Sequence, residues 1–242
     1  MGYAIKLNNL RKEFGGKTAV TGSNFEVEEG SLFSLLGVNG AGKTTTIRML
    51  IGLSKPTAGD AFVCGYSITK EIDEIKKISN ISTQETAVAP NLTVYENLMF
   101  MAQIYGMGAE KAKKEVAEII GQFSLEEIKH TKAKTLSGGW QRRLSIAMAL
   151  ISRPKVLFLD EPTLGLDVLA RKELWKIIES LKEKITIILT THYMEEAESL
   201  SDKVAVMLDG EVKACGSVNE LKKLTGKEKL EDAFIAIAEG GV

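Results

Sequence analysis

The short apolar segment SLFSLL, Ser31 to Leu36, runs directly into GVNGAGKTT, Gly37 to Thr45, and then into the helical run TTIRMLIGL. No other stretch restricts the fold as tightly. Gly37, Gly40 and Gly42 let the backbone curl so that successive N–H groups converge, and the following helix adds partial positive charge at its N-terminus. A strand, the pattern G-x-x-x-x-G-K-[ST] and a helix, in that order, make a phosphate-binding loop. Asn39, Ala41 and Thr45 complete its wall. Lys43 reaches the β- and γ-phosphates of a nucleotide, and the Thr44 hydroxyl is a ligand for Mg2+.

Such a loop belongs to a layered α/β structure, and the rest of the chain carries that pattern. Val156 to Leu159, Ile185 to Leu189 and Val204 to Met207 are short, apolar and partly β-branched, and with Ser31 to Leu36 they read as buried parallel strands. Ile5, Leu7, Phe25, Val27, Ala61 and Val63 lie in alternating patterns that predict antiparallel strands near the N-terminus. Residues 85–135 are helix-rich. In AEKAKKEVAEIIGQF, Ala112, Val116, Ile119 and Ile120 share one face, with lysines and glutamates opposite. Ser217 and Glu220 form a capping box that opens the C-terminal helices. The expected architecture is a single α/β domain over 1–242. It has a P-loop core with a mainly parallel sheet and an antiparallel β part (1–84 and 136–216), an inserted helical lobe (85–135) and C-terminal helices (217–242).

Composition limits what else the chain does. The formal net charge is −1, with no basic tract, so nucleic acid is excluded as a partner. Lys6, Arg11 and Lys12 follow Met1 without an apolar region, and the longest apolar runs fall far short of the roughly 18 residues of a spanning helix. These features predict a cytoplasmic chain whose membrane role comes through a partner. Cys64 and Cys215 stand alone, outside any C-x-x-C spacing, and read as buried free thiols.

VLFLDEP, Val156 to Pro162, carries a buried strand to its carboxyl end, where open α/β sheets bind ligands. An acidic pair in that position is, in isolation, often an ordinary solvated turn. Beside a phosphate loop, Asp160 holds magnesium through water and Glu161 orients and polarises an attacking water. General-base catalysis of that kind contributes about 10²- to 10⁴-fold in rate.

The third motif, LSGGWQRR from Leu136 to Arg143, opens a helix on Ser137 and two bare glycines. With the two preceding motifs in this order, the chain resembles the nucleotide-binding domains of the ABC superfamily, in which this stretch is the signature. The resemblance covers nearly the whole chain to about Gly216. It implies an Mg2+-dependent ATPase in which Ser137, Gly138 and Gly139 cap the γ-phosphate of ATP held by the P-loop of a second ABC ATPase domain in a head-to-tail dimer. It further implies that Phe14 stacks on adenine and that Gln84 senses magnesium and couples to the membrane partner. Asp167 is implied to communicate across the dimer, and His192 to contact the γ-phosphate. His130, in a charged stretch of the helical lobe, is assigned to the surface.

Trp140 departs from the polar or flexible residue common after the two signature glycines, which leaves homodimer and heterodimer both open. Segments THYMEEAE, NLTVYENL and LEDAFIAI resemble separate ATPase subunits of export systems. The resemblance thus implies an ATP-binding subunit, peripheral on the cytoplasmic face of the membrane, that drives a separate integral membrane permease, as an exporter. Two alternatives carry less weight. A non-transport ABC ATPase needs a second cassette or a basic surface, and a regulatory nucleotide-binding module has only Trp140 in its favour.

Overall fold

A computed structural model describes residues 2–240. The chain begins with the antiparallel strands β1 (Tyr3–Phe14), β2 (Lys17–Ser23) and β3 (Glu26–Glu28), then enters the central strand β4 (Leu32–Leu36) and helix α1 (Lys43–Leu50). Strands β5 (Ala58–Val63) and β6 (Tyr66–Ser67) complete the antiparallel sheet, in the order β2-β1-β5-β6 with β3 also pairing β1. Helix α2 (Ile72–Ile78) and strand β7 (Ser79–Ser82) lead into α3 (Val94–Ile104) and α4 (Ala109–Gln122). Then follow α5 (Gly138–Leu150), β8 (Val156–Asp160), α6 (Val168–Glu179), β9 (Thr186–Thr191) and α7 (Met194–Leu200). The hairpin β10 (Lys203–Leu208) and β11 (Glu211–Gly216) and helices α8 (Val218–Thr225) and α9 (Leu230–Ala238) end the described chain.

The second sheet has the order β11-β10-β4-β9-β8-β7 and is parallel except for β11. β4 therefore lies between β9 and β10, and the loop leaving its carboxyl end opens into the crevice where strand order reverses, the place at which such sheets bind ligands. Side chains alternate across the strands. Leu157, Leu159, Ile187 and Leu189 pack under helices α3 to α6, while Phe33, Leu35, Phe158 and Ile188 share the opposite core with α1 and the antiparallel sheet. A third cluster seats α9 on β10 through Phe234, Ile237, Val204 and Val206.

The expected helical face on α4 is buried, with Ala112, Val116, Ile119 and Ile120 joined to Leu157 and Leu159 in one apolar cluster. The capping box of Ser217 and Glu220 forms, with each side chain bonded to the other's backbone N–H. β9 continues past the apolar run through Thr190 and Thr191. Two features differ from the sequence reading. β7 and β11 were not expected as strands. Neither cysteine is fully buried: Cys64 is half-buried in the turn between β5 and β6, and Cys215 is exposed because β11 is an edge strand whose residues 211, 213 and 215 face outward.

Candidate functional site

The carboxyl ends of β4, β8 and β9 meet at a cleft of 380 Å³ lined by Asn39, Gly40, Ala41, Gly42, Lys43, Thr44, Thr45, Gln84, Glu161 and His192, with Ala19 and Leu164 at its margins. The glycines are required sterically. Gly40 and Gly42 have φ of 84° and 101°, and a Cβ on Gly37 would fall 2.2 Å from the Met207 carbonyl oxygen. Gly42 ends the loop without a side-chain cap, so α1 presents bare N–H groups to the cleft.

Lys43 is 4% exposed. Its Nζ donates to the carbonyls of Gly37 (2.7 Å) and Val38 (3.2 Å) and lies 3.5 Å from Glu161 Oε1. Burial pushes its pKa down, and the Glu161 and Asp160 carboxylates push it back up. A buried ammonium compensated mainly by neutral carbonyls and one spaced carboxylate has a strong electrostatic preference for an incoming polyanion.

Asp160 is held by two hydroxyls, accepting from Thr44 Oγ1 at 2.9 Å and from Thr190 Oγ1 at 2.6 Å. Register places Asp160 beside Thr190 across β8 and β9. Thr44, Asp160 and the neighbouring Gln84 form an all-oxygen donor set, which suits Mg2+ and not a softer metal. The residues present therefore fit that ion.

Glu161 adopts the left-handed conformation, φ 47°, which costs a non-glycine residue about 1–2 kcal/mol. Its N–H is pinned to both the carbonyl (3.1 Å) and the hydroxyl (3.0 Å) of Thr190. The sharp turn sends the carboxylate back over the phosphate loop. His192 Nδ1 lies 3.0 Å from Glu161 Oε2, yet off the axis of a hydrogen bond, so the contact is an electrostatic proximity rather than a formed bond.

The other expected site residues stand apart from this cleft. Phe14 is exposed at the end of β1, with Lys12 Nζ 4.7 Å from its ring centroid. Asp167 caps α6, accepting from the N–H groups of Leu169 and Ala170, both at 2.9 Å. Ser137 occupies the N-cap position of α5 without making a side-chain cap bond, so the first N–H groups of that helix are free. Nothing lies within 4 Å of a Cβ built on Gly138. Trp140 does not project from this end. It is half-buried against its own helical cluster, with the Arg143 guanidinium 4.5 Å from its ring centroid, and Arg143 in turn pairs with Glu173 of α6. His130 is exposed, as expected.

Sequence reasoning missed three residues around the cleft. Thr190 was absorbed into an apolar strand. Arg142 was passed over as part of a basic pair, although it precedes the buried Ile146 and Leu150 at four-residue spacing. Glu196, fully buried on α7, accepts from Thr163 Oγ1 (2.8 Å) and Trp175 Nε1 (3.0 Å), and burial pushes its carboxyl pKa up.

Residues 20–164 match the profile described as "ABC transporter". The chain is 43% identical over 226 residues to the human phospholipid-transporting ATPase ABCA3, a match that covers 92% of this chain and only 13% of that protein's length. It is 40% identical to the linearmycin resistance ATP-binding protein LnrL of Bacillus subtilis, covering 98% of this chain and 76% of the relative. Among solved structures, the dimeric post-hydrolysis state of the ATP-binding cassette MJ0796 bound to ADP and Pi superposes with a TM-score of 0.79 at 26% identity, covering 88% of this chain and 98% of the other.

Proposed function

The chain belongs to the ABC transporter family, and from that premise we propose that it binds and hydrolyses ATP in a head-to-tail pair of ATPase domains to drive a separate membrane permease. The observation that carries this reading is the convergence of Lys43, Thr44, Glu161 and His192 on one cleft, with Asp160 hydrogen-bonded to Thr44 behind it, while the bare start of α5 lies outside. A chain with half a phosphate site in each of two places works as a pair. The dimeric cassette MJ0796 supports that arrangement.

The loop amides and Lys43 hold the β- and γ-phosphates. Phe14 lies under the adenine, and Ser137, Gly138 and Gly139 of the second copy close over the γ-phosphate. Thr44, Asp160 and Gln84 hold Mg2+, which neutralises charge on the phosphate oxygens when bound. Glu161 accepts a hydrogen bond from a water molecule, turns that water's lone pair toward the γ-phosphorus and takes up the proton the water loses. The bond from that phosphorus to the bridging oxygen breaks as the new P–O bond forms, and ADP and phosphate leave. Lys43 and His192 stabilise the charge on the departing and transferred groups, the term to which catalysis of phosphoryl transfer chiefly reduces. Asp167, as the cap of α6, fixes the loop that follows Glu161 and faces the second copy.

The whole chain acts as one ATPase unit. The core is 1–84 and 136–216, the helical lobe 85–135 docks on the core through the shared apolar cluster, and the C-terminal segment 217–242 carries α8 and α9. Among the described residues, no helix is long and apolar enough to cross a membrane; attachment to the cytoplasmic face through the permease is supported by membership of the ABC transporter family. An export direction is supported by LnrL, named for linearmycin resistance. Phosphate release by the purified chain tests the reading. Turnover that requires both ATP and Mg2+ supports it, and none at micromolar protein and millimolar ATP removes it.

A further inference from the structure

Arg142 sits on the first turns of α5, the helix whose start faces outward, yet its side chain points into the interior and is 4% exposed. Nη1 donates to the Thr83 carbonyl at 2.5 Å. Nη2 donates to the Gln84 carbonyl at 2.6 Å and to the Glu161 carbonyl at 3.2 Å, so its two hydrogens serve two different loops. Those loops supply the cleft with Gln84 and Glu161.

We propose that Arg142 is a positioning residue that clamps Gln84 and Glu161 to the signature helix, making the catalytic geometry of one domain depend on how its own α5 is seated. The inference rests on the functional reading above and extends it to regulation of the same site. Three backbone carbonyls are the acceptors, so the side chains of Gln84 and Glu161 stay free for the nucleotide while their backbones are fixed from behind. Glu161 is also the residue in the left-handed conformation. The Thr190 bonds hold its N–H side, and Arg142 holds its carbonyl side. A strained turn persists only where both sides are fixed. The start of α5 meets the second copy's γ-phosphate in the proposed dimer, so a shift of α5 on ATP binding moves the Gln84 and Glu161 backbones with it through one rigid, planar guanidinium. Lysine cannot do this, because a single ammonium on a flexible stem lacks the forked, coplanar donors.

The test uses the full chain as wild type, Arg142→Lys, Gln84→Ala and the double variant, with Arg142→Gln as a second probe should the lysine variant fold poorly. Thermal midpoints establish which variants are folded. Steady-state ATPase kinetics and hydrogen exchange of the 79–90 segment are then measured. The clamp predicts that Arg142→Lys lowers kcat roughly 10- to 100-fold, the loss of one charge-assisted hydrogen bond, with KM within about twofold. Exchange across 83–86 accelerates. The double variant loses less than the product of the two single losses, because Arg142 acts partly through Gln84. Unchanged kcat and exchange, or fully multiplicative losses, overturn the clamp while leaving wild-type ATPase activity to uphold the functional reading. A kcat loss that only tracks a lowered thermal midpoint overturns it as well. Absence of wild-type turnover overturns the functional reading, and the clamp falls with it.

Discussion

The Thr44 hydroxyl donates to Asp160 Oδ1 at 2.9 Å, joining the first turn of α1 to the end of β8 across 116 residues of sequence. That contact brings together two of the three oxygen donors proposed to hold Mg2+. Thr44→Val preserves shape and removes the oxygen. It is expected to raise the Mg2+ concentration for half-maximal turnover by roughly tenfold or more, since one lost polar contact of this kind costs about 1–3 kcal/mol. Titrating Mg2+ at fixed ATP measures it, and EDTA abolishes turnover in both proteins. An unchanged Mg2+ requirement places the metal elsewhere.

Lys43→Ala removes the buried ammonium that Gly37, Val38 and Glu161 hold in place. ATP affinity, read by calorimetry, is expected to weaken by about 1.5–3 kcal/mol, the worth of a hydrogen bond to a charged group, and turnover to fall below detection. Affinity equal to wild type takes Lys43 out of the phosphate site.

Glu161→Gln keeps the carbonyl that Arg142 holds and the N–H that Thr190 holds, and alters only the carboxylate proposed to orient water. ATP binding therefore stays near wild type while hydrolysis drops by about 10²-fold or more. Trapped ATP shifts the variant to a dimer in size-exclusion chromatography, and ADP returns it to monomer. Wild-type turnover by this variant rules out the water-orienting role.

These positions were legible in sequence because charge or glycine breaks an apolar run there. Lys43 and Glu161 each follow directly on a buried strand or its loop, and chemistry at a strand end is readable along the chain. Arg142, Thr190 and Glu196 act through contacts between elements distant in sequence, which depend on which helix face meets which strand end. β7, with the sequence SNIS, is too short and polar to read as a strand, and only pairing with β8 makes it one. The outward thiol of Cys215 follows from β11 being an edge, a property of sheet order and not of local pattern.

Glu196 supplies a pH dependence. Burial raises its carboxyl pKa in the folded chain. Its stability contribution is full below the unfolded value of about 4.3 and is lost as pH rises through the folded value, because unfolded chains ionise first. Glu196→Gln keeps an acceptor for Thr163 and Trp175 without the ionisation. The thermal midpoint of wild type relative to this variant is expected to fall as pH rises from 4 toward neutrality. A constant difference means that Glu196 titrates normally.

The central claim, that the start of α5 serves the nucleotide of a second copy, is tested most directly at Gly138, where an added side chain meets nothing within 4 Å; at Gly139, by contrast, a Cβ approaches Ala170 Cβ at 3.2 Å. Gly138→Asp places negative charge where the other copy's phosphate docks. The measurement is ATP affinity of the monomeric variant alongside ATP-dependent dimerisation in the Glu161→Gln background. The account predicts near-wild-type ATP binding by the monomer and no dimer. Loss of ATP binding by a folded Gly138→Asp monomer would show the helix acting on its own nucleotide, and would contradict the head-to-tail arrangement.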